Sequence, residues 1–298
     1  MGCGFSITVV GQDSSEANRF IDTTISEIRR IEHLISSWDT HSQTYLINQN
    51  AGINPVKVNK ELYELIERSL SLSKLSDGAF DLSYASLDKV WKFDGSMKTM
   101  PSPEEIKKSV RKVGYQNILL DETKQTVFLK EKGMKIGFGA IGKGYAADQA
   151  KKLLIEKGVK AGVINASGDI TTWGKKPNGK DWEVSIINPL NKQHIFASSP
   201  ISEGAVVTSG DYEKYVTFNG KQYAHIINPK TGYPSTGIIS ATVYAPKAEL
   251  ADALATALFV MGIEVGIDRI NQLYQVECIV IDSQGKMHVS NGISFQKE

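Results

Sequence analysis

The chain of 298 residues has few of the features that mark the more specialised classes of protein. It has only two cysteines, Cys3 and Cys278, so a disulfide-rich scaffold is excluded. It has no run of about 18 apolar residues, so the sequence predicts no transmembrane segment. It has no excess of one charge, with 34 basic against 33 acidic residues, and no basic stripe, which argues against a nucleic-acid partner.

Linkers, repeats and low-complexity segments are absent as well, so residues 1–298 are interpreted as one domain. Helical periodicity dominates the first part of the sequence and strand alternation the second, which predicts a mixed α+β fold. Helices are predicted after Asp13 or Ser14 as far as Ile35, from Asn59 to Ser76, from Pro101, from Tyr145 to Lys157 and from Glu249 to Met261. Strands are predicted at Phe5–Val10, Asn117–Leu120, Thr126–Leu129, Met134–Gly137, Ala161–Ile164, Trp182–Ile187, Glu213–Phe218, Ile238–Tyr244, Val276–Ile281 and Met287–Val289.

The glycine-rich segment from Gly137 to Tyr145 follows a predicted strand and opens a predicted helix. Backbone amides and the helix dipole can hold an anion at such a place. The segment satisfies G-x-G-x-x-G, a dinucleotide fingerprint, and is one residue short of a P-loop, because Gly144 stands where a P-loop has Ser or Thr. The next strand ends in Asn165, whereas a Rossmann fold needs an acid there. A glycine turn that only packs a helix on a sheet is the alternative, but Lys143 opposes the dipole unless an anion binds.

Asp252 and Thr256 form the second candidate site, because the i, i+4 spacing puts their oxygen atoms on one helix face. Carboxylate and hydroxyl oxygens suit a magnesium ion that takes its other ligands from water and substrate phosphates. Glu249, one turn earlier, could assist. The alternative is a solvated polar face near a helix start.

Three further segments combine small, polar and aromatic residues in ways that suit a ligand. His225 ends a strand and precedes a turn from Asn228 to Pro234 that can present amides and a hydroxyl. Thr208 to Tyr212 is interpreted as a small-residue turn between strands, which permits close backbone approach. Gly78 to Asp81 ends a helix, and its Phe80 is either a core residue or a flat apolar neighbour for a ring such as flavin.

Taken in order, these segments resemble the ApbE family of FAD:protein FMN transferases. The resemblance covers nearly the whole chain. The matching segments are Ser36-Ser37-Trp38, Gly78 to Asp81, Val90 to Phe93, Gly139 to Asp148, Asn165 to Ile170, Thr208 to Tyr212, His225 to Pro234 and Ala251 to Thr256. Each is a weak signal by itself, whereas the whole set in one order makes chance a poor explanation.

The resemblance implies a single mixed α/β domain, related to the T-fold, that consists of two closely packed lobes. It implies a magnesium ion held by Asp252, Thr256 and the Ala140 carbonyl, with FAD as the substrate. It implies that the metal bridges the FAD pyrophosphate. Catalysis would rest on His225, Lys143 and Asp252. The residues implied to bind the nucleotide and the flavin are Met1, Trp38, Ala79, Phe80, Asp81, Lys143, Thr208 and His225.

The sequence departs from the family pattern at four places. Gly137 replaces an Asp expected at the adenosine end, and Asn228 replaces the usual Asp before Pro229. Leu82-Ser83 replaces Pro-Thr, and Trp38 replaces a Tyr. These departures put the nucleotide contacts near Gly137 in doubt and could retune flavin stacking.

The reaction implied is phosphoryl transfer, in which a threonine hydroxyl of an acceptor flavoprotein attacks the FMN phosphorus and AMP leaves. The implied acceptors are subunits of membrane redox complexes or extracytoplasmic flavoproteins. The resemblance also implies an extracytoplasmic, membrane-associated protein if a leader has been removed, and leaves the compartment open otherwise. Three alternatives stay open: an FAD pyrophosphatase, in which water attacks, a non-catalytic flavin-binding protein, and a Rossmann oxidoreductase.

Overall fold

The structure is a computed structural model that describes residues 2–187, 189, 195–210, 215–218 and 220–293. Met1, Asp211 and Tyr212, which carry predictions, lie outside the described residues, as do the first two residues of the predicted strand 213–218. The described residues form seven α-helices. They are α1 (Ser14–Ile35), α2 (Gln43–Gln49), α3 (Lys60–Leu75), α4 (Pro103–Ser109), α5 (Gly142–Glu156), α6 (Ala248–Met261) and α7 (Ile263–Asn271).

The strands of the described chain form one large sheet and three small ones. They are β1 (Phe5–Val9), β2 (Val56–Lys57), β3 (Ile118–Asp121), β4 (Thr126–Leu129), β5 (Gly162–Ala166), β6 (Asp169–Trp173), β7 (Trp182–Ile187), β8 (Ile195–Ile201), β9 (Gly204–Gly210), β10 (Tyr215–Phe218), β11 (Lys221–Ala224), β12 (Ile238–Ala245), β13 (Glu277–Asp282) and β14 (Met287–Val289). The large sheet has the order β1-β5-β6-β9-β12-β13-β14, and every neighbouring pair in it is antiparallel. A Rossmann fold is built on a parallel sheet, so that alternative is excluded.

One face of the large sheet is apolar, because alternate residues of each strand point to the same side. Val207, Val243 and Cys278 are register partners on β9, β12 and β13, and all three are buried. They belong to one core cluster with Leu254 and Leu258 of α6. The sheet and α6 therefore share a single apolar layer.

A second core cluster lies between α1, α3 and the three-stranded sheet β2-β4-β3, and includes Ile31, Leu65 and Val127. Both α5 and α6 also contribute to this cluster, through Ala146 and Ala257. The two clusters are the cores of the two predicted lobes, and the predicted α+β class is confirmed. No helix in the described ranges is long and apolar enough to cross a bilayer.

Local predictions differ from the structure in several of the described segments. Residues 134–137 form no strand, because Asn48 satisfies both the N–H and the C=O of Ile136 with its side-chain amide. The interpretation of Thr208 to Gly210 as a turn is wrong, since these residues end strand β9. Helices α2 and α7 and strands β2, β6 and β8 had no predicted counterpart. The α5 helix begins three residues earlier than predicted, because two glycines in its first turn conceal the helical pattern.

Candidate active site

The first turn of α5 is shaped by the close approach of α6. A Cβ atom on Gly144 would lie 2.1 Å from the Ala248 carbonyl oxygen, which leaves no room for any side chain there. A Cβ atom on Gly142 would lie 2.8 Å from Cδ1 of Ile35. Gly144 is therefore a packing residue between two helices, and the P-loop pattern, which needs a hydroxyl at this position, does not apply.

Lys143 brings two carboxylates together at this helix start. Its Nζ atom lies 2.5 Å from Asp169 Oδ2 and 3.3 Å from Asp252 Oδ1. The side chains of both acids are almost fully buried, at 1% and 3% exposure, whereas Lys143 is 29% exposed. One cation thus faces two buried acids on different elements, β6 and α6.

The charges in this cluster are strongly coupled. Burial raises the pKa of Asp169 well above its ordinary value, and the neighbouring Asp252 carboxylate raises it further. Burial acts against the charge on Lys143, but Asp252 and Asp169 outweigh it and raise the pKa of the lysine. With all three groups ionised, the cluster carries a net negative charge, which an additional cation would offset.

Two of the predicted metal ligands, Asp252 and Ala140, lie at the same helix start. The Gly144 N–H donates to Asp252 Oδ2 at 3.2 Å instead of closing a helical bond onto Ala140. Within the described chain no hydrogen bond reaches the Ala140 carbonyl, so that oxygen is available to a ligand. Thr256 follows Asp252 by one helical turn, on the same face of α6.

A hard divalent cation fits this donor set of carboxylate, hydroxyl and carbonyl oxygens. Among the described residues no group of three or more His, Cys, Asp or Glu side chains could hold a metal, so an ion here would depend on mixed ligands and substrate oxygens. The alternative of a solvated polar face is wrong. Asp252 is buried, and so is Glu249, which accepts hydrogen bonds from Arg68 at 2.7 and 3.1 Å.

The segment Ala79 to Asp81 is held inside the protein by its own side chains. Phe80 is 2% exposed and belongs to the core cluster between α1, α3 and the three-stranded sheet, as its alternative interpretation predicts. Asp81 accepts from the Ser83 N–H at 2.7 Å, from the Ser83 hydroxyl at 2.6 Å and from the Tyr115 N–H at 2.9 Å. Contacts from Phe80 or Asp81 to a nucleotide would therefore use backbone atoms. Ser83 keeps the hydroxyl that a threonine would supply, which makes this departure conservative.

Trp38 lies in the loop after α1 and is 85% exposed. The loop is held by Ser36, whose hydroxyl accepts from the Asp39 N–H at 3.1 Å. The described structure thus presents the indole to solvent and gives it no ring partner. The predicted contact of Trp38 with flavin stays a prediction.

His225 follows β11 and is exposed, at the start of the predicted ligand-binding turn. In that turn the Asn228 side-chain oxygen accepts from the N–H groups of Lys230 and Thr231 at 2.9 and 3.3 Å. A carboxylate accepts the same two bonds, so Asn228 keeps the turn without the charge. The Gly232 carbonyl accepts from the Trp91 indole N–H at 2.8 Å, which anchors the far side of the turn.

Thr208 pairs its side chain with the neighbouring strand β12, and its carbonyl oxygen lies near the turn at Gly168. Its hydroxyl lies 2.9 Å from that of Thr242, on the sheet face opposite Val207. Its carbonyl oxygen would be 3.9 Å from a Cβ atom on Gly168, in the turn just before Asp169. The predicted role of Thr208 in binding the cofactor is not tested by this geometry.

The space near Gly137 is occupied by other side chains. A Cβ atom on Gly137 would lie 3.0 Å from Ala85 Cβ and 3.7 Å from the Tyr84 hydroxyl. The Tyr84 hydroxyl also lies beside Gly139, where a Cβ atom would come within 2.3 Å of it. The loss of the family Asp is therefore accompanied by a tyrosine beside the glycine turn.

Sequence reasoning missed the part that Asp169 plays. The residue belongs to a matched family segment, but nothing local distinguishes its carboxylate from that of any strand residue. The signal available in the sequence was the turn-forming pair Ser167-Gly168 before it, and in the structure these residues have φ values of 51° and 99°. The Asn165 side chain accepts from the Gly168 N–H at 2.8 Å and so stabilises this turn. The turn reverses the chain direction, so that β6 packs against α5.

Comparison with known proteins identifies the family to which the sequence and the fold belong. The ApbE family model matches residues 1–280. An FAD:protein FMN transferase of Klebsiella pneumoniae is 31% identical over 283 residues, which cover 94% of this chain and 86% of that protein. An FAD:protein FMN transferase of Treponema pallidum is 29% identical over 297 residues, covering 94% and 82%.

Among solved structures, the ApbE protein of Thermotoga maritima superposes with a TM-score of 0.87 at 31% identity, covering 97% of this chain and 94% of that one. Sheet, helices and chain order are thus shared along nearly the whole length. The chain belongs to the ApbE family. It is a transferase enzyme.

Proposed function

We propose that this chain is a magnesium-dependent FAD:protein FMN transferase, which cleaves the FAD pyrophosphate and attaches FMN to a threonine hydroxyl of an acceptor flavoprotein. The observation that carries the proposal is the buried cluster of Lys143, Asp169 and Asp252 at the N-terminus of α5. The names of the relatives from Klebsiella pneumoniae and Treponema pallidum support the donor and the group transferred.

The start of α5 suits a pyrophosphate for three reasons. Its helix dipole attracts an anion. Lys143 is partly exposed and can move its ammonium group from the acids to a bound phosphate. The Gly144 N–H, which donates to Asp252, becomes available to a substrate oxygen when Asp252 binds the metal ion.

Asp252, Thr256 and the Ala140 carbonyl would hold the magnesium ion. When bound, the ion neutralises charge that develops on the phosphate oxygens during transfer. Asp252 can act as a ligand only if it gives up part of its contact with Lys143, which frees the lysine for the substrate. The presence of two buried carboxylates against a single ammonium group supports this role.

In the transfer itself, the threonine oxygen forms a bond to the phosphorus of the FMN half. The bond from that phosphorus to the bridging oxygen breaks, and AMP leaves with the bonding electrons. His225 or a nearby carboxylate takes the proton of the hydroxyl. The exposure of His225 supports a base that meets a macromolecular acceptor from the solvent side.

The test is incubation of the chain with FAD, magnesium and a candidate acceptor, followed by denaturing electrophoresis. We expect a fluorescent acceptor band and an equal amount of AMP. Replacing the acceptor threonine by alanine should remove the band, and a chelator should stop AMP release. Asp252→Asn keeps the shape of the buried side chain and should lower the rate by about 100-fold or more, because it removes a charged ligand.

Two outcomes would contradict the proposal. If FMN and AMP appear while no flavoprotein of the same organism is ever labelled, the chain is an FAD pyrophosphatase. If FAD binds and no AMP is released with magnesium, the chain is a non-catalytic flavin-binding protein. Full activity of Asp252→Asn would remove the metal assignment alone.

A further inference from the structure

The N-terminus of α6 is capped by a residue of another helix. Its own N-cap residue, Lys247, supplies no side-chain hydrogen bond. Instead, the partly buried Asp148 carboxylate of α5 accepts from the Ala248 N–H at 3.1 Å and from the Glu249 N–H at 2.9 Å. A carboxylate at this end of a helix satisfies the free amides and favours the dipole.

The arrangement is reciprocal, because α6 also caps α5. The N-cap residue of α5, Ile141, supplies no side-chain hydrogen bond either. Its place is taken by Asp252 of α6, which accepts from the Gly144 N–H at 3.2 Å. Each helix thus contributes one carboxylate to the first turn of the other. Between these two contacts, the Ala248 carbonyl lies directly against Gly144.

We propose that Asp148 is a positioning residue for the transfer reaction: it holds the first turn of α6, and with it Asp252, at a fixed place relative to Lys143. This rests on the proposed function, because Asp252 and Lys143 are the groups assigned to the metal and the pyrophosphate. Asp252 lies one helical turn after Ala248, so a frayed first turn displaces it.

The surroundings of Asp148 set the pKa of its carboxyl group. Desolvation raises the pKa of Asp148 to about 6, and the charge of Glu249 acts in the same direction. The two capped amides and the charge of Lys151 act in the opposite direction. Arg68 forms an ion pair with Glu249 at 2.7 Å, which offsets the charge of Glu249. A binding site that depends on exact placement of a carboxylate loses affinity when the group behind it is removed.

The test compares Asp148→Asn and Asp148→Ala with Asp282→Asn in the full chain. Asp282 is a suitable control, because its carboxylate accepts from the N–H groups of Gln284 and Lys286, both at 2.9 Å, in a turn that belongs to neither α5 nor α6. Two quantities are measured: the magnesium concentration for half-maximal FAD cleavage, and hydrogen exchange of the amides of residues 248–252.

We expect Asp148→Asn to raise the half-saturating magnesium concentration on the order of tenfold, and Asp148→Ala to raise it further. The partial retention in the asparagine variant follows from its one remaining acceptor oxygen. Exchange at residues 248–252 should accelerate in both variants. Asp282→Asn should lower stability while both quantities stay at the wild-type value.

Unchanged magnesium dependence in both Asp148 variants would overturn the proposal, whether or not exchange accelerates, because Asp148 would then be only a helix cap. An equal shift in Asp282→Asn would also overturn it, since general destabilisation would explain the effect. If the wild-type chain cleaves no FAD with magnesium, the proposed function fails. Titration of MgCl₂ into the wild-type chain and the variants, followed by calorimetry, then decides the positioning role, and equal affinities would refute it.

Discussion

Replacing Gly144 by alanine should separate the two helices that carry the site. Gly144→Ala gains about 1 kcal/mol from helix propensity. Against this, its Cβ atom would lie 2.1 Å from the Ala248 carbonyl oxygen, 2.5 Å from the carbonyl carbon and 2.9 Å from the Glu249 nitrogen. These are backbone atoms, so the whole first turn of α6 must move by about 1 Å to regain van der Waals contact.

Overpacking of this kind costs about 1–3 kcal/mol. The displacement also weakens the two hydrogen bonds from α6 amides to Asp148, at about 1 kcal/mol each. After the propensity gain, we expect a net loss of roughly 2–4 kcal/mol of unfolding free energy. FAD cleavage should fall as well, because Asp252 moves with α6.

Gly142→Ala is the matched control, because it lies in the same turn and gains the same propensity. Its Cβ atom would meet Cδ1 of Ile35 at 2.8 Å, the far end of a flexible side chain. A rotamer change there costs about 0.5–1.5 kcal/mol, so the net change should stay within about 1 kcal/mol. Urea unfolding with linear extrapolation measures both variants. Equal stabilities of the two would refute the close-approach explanation for Gly144.

Three further predictions concern charged groups. Lys143→Ala should weaken FAD binding far more than riboflavin binding, because the lost contact is to phosphate. Lys151→Ala on the same helix is the control. An equal loss of affinity for FAD and for riboflavin in Lys143→Ala would indicate a structural role. His225→Ala should bind FAD nearly normally and turn over about 100-fold more slowly, because proton transfer matters in the transition state. A loss of affinity for FAD at an unchanged turnover rate would contradict this role. The pKa of Asp148 is about 6 in the folded chain and 3.8 in its ordinary state, so ionisation of this group costs stability as pH rises from 4 to 7. Asp148→Asn lacks this cost, and its unfolding free energy relative to wild type should therefore rise by about 2–3 kcal/mol over that range, as measured by urea unfolding at several pH values. A constant difference would show that Asp148 is ordinarily ionised in the folded protein.

Local chemistry determined much of what the sequence predicted correctly. Asp13 caps α1 by accepting from the Glu16 N–H, and Ser102 and Glu105 form a capping box at the start of α4. Such signals act over three or four residues, so they are visible in the chain. The position of Asp252 and Thr256 on one face of α6 is equally local, because it depends only on helical spacing.

The tertiary structure alone decided which groups meet. Lys143 is 26 residues from Asp169 and 109 residues from Asp252 in sequence, and only the antiparallel sheet order and the crossing of α5 and α6 bring them together. The burial of Asp252 is likewise invisible in a helix pattern, because the covering residues come from another helix. Position 144 requires glycine because the carbonyl group of Ala248, about 100 residues away in sequence, leaves no room for a side chain there. Periodicity reports which face of an element is apolar, whereas the partner of that face is set by packing over the whole chain.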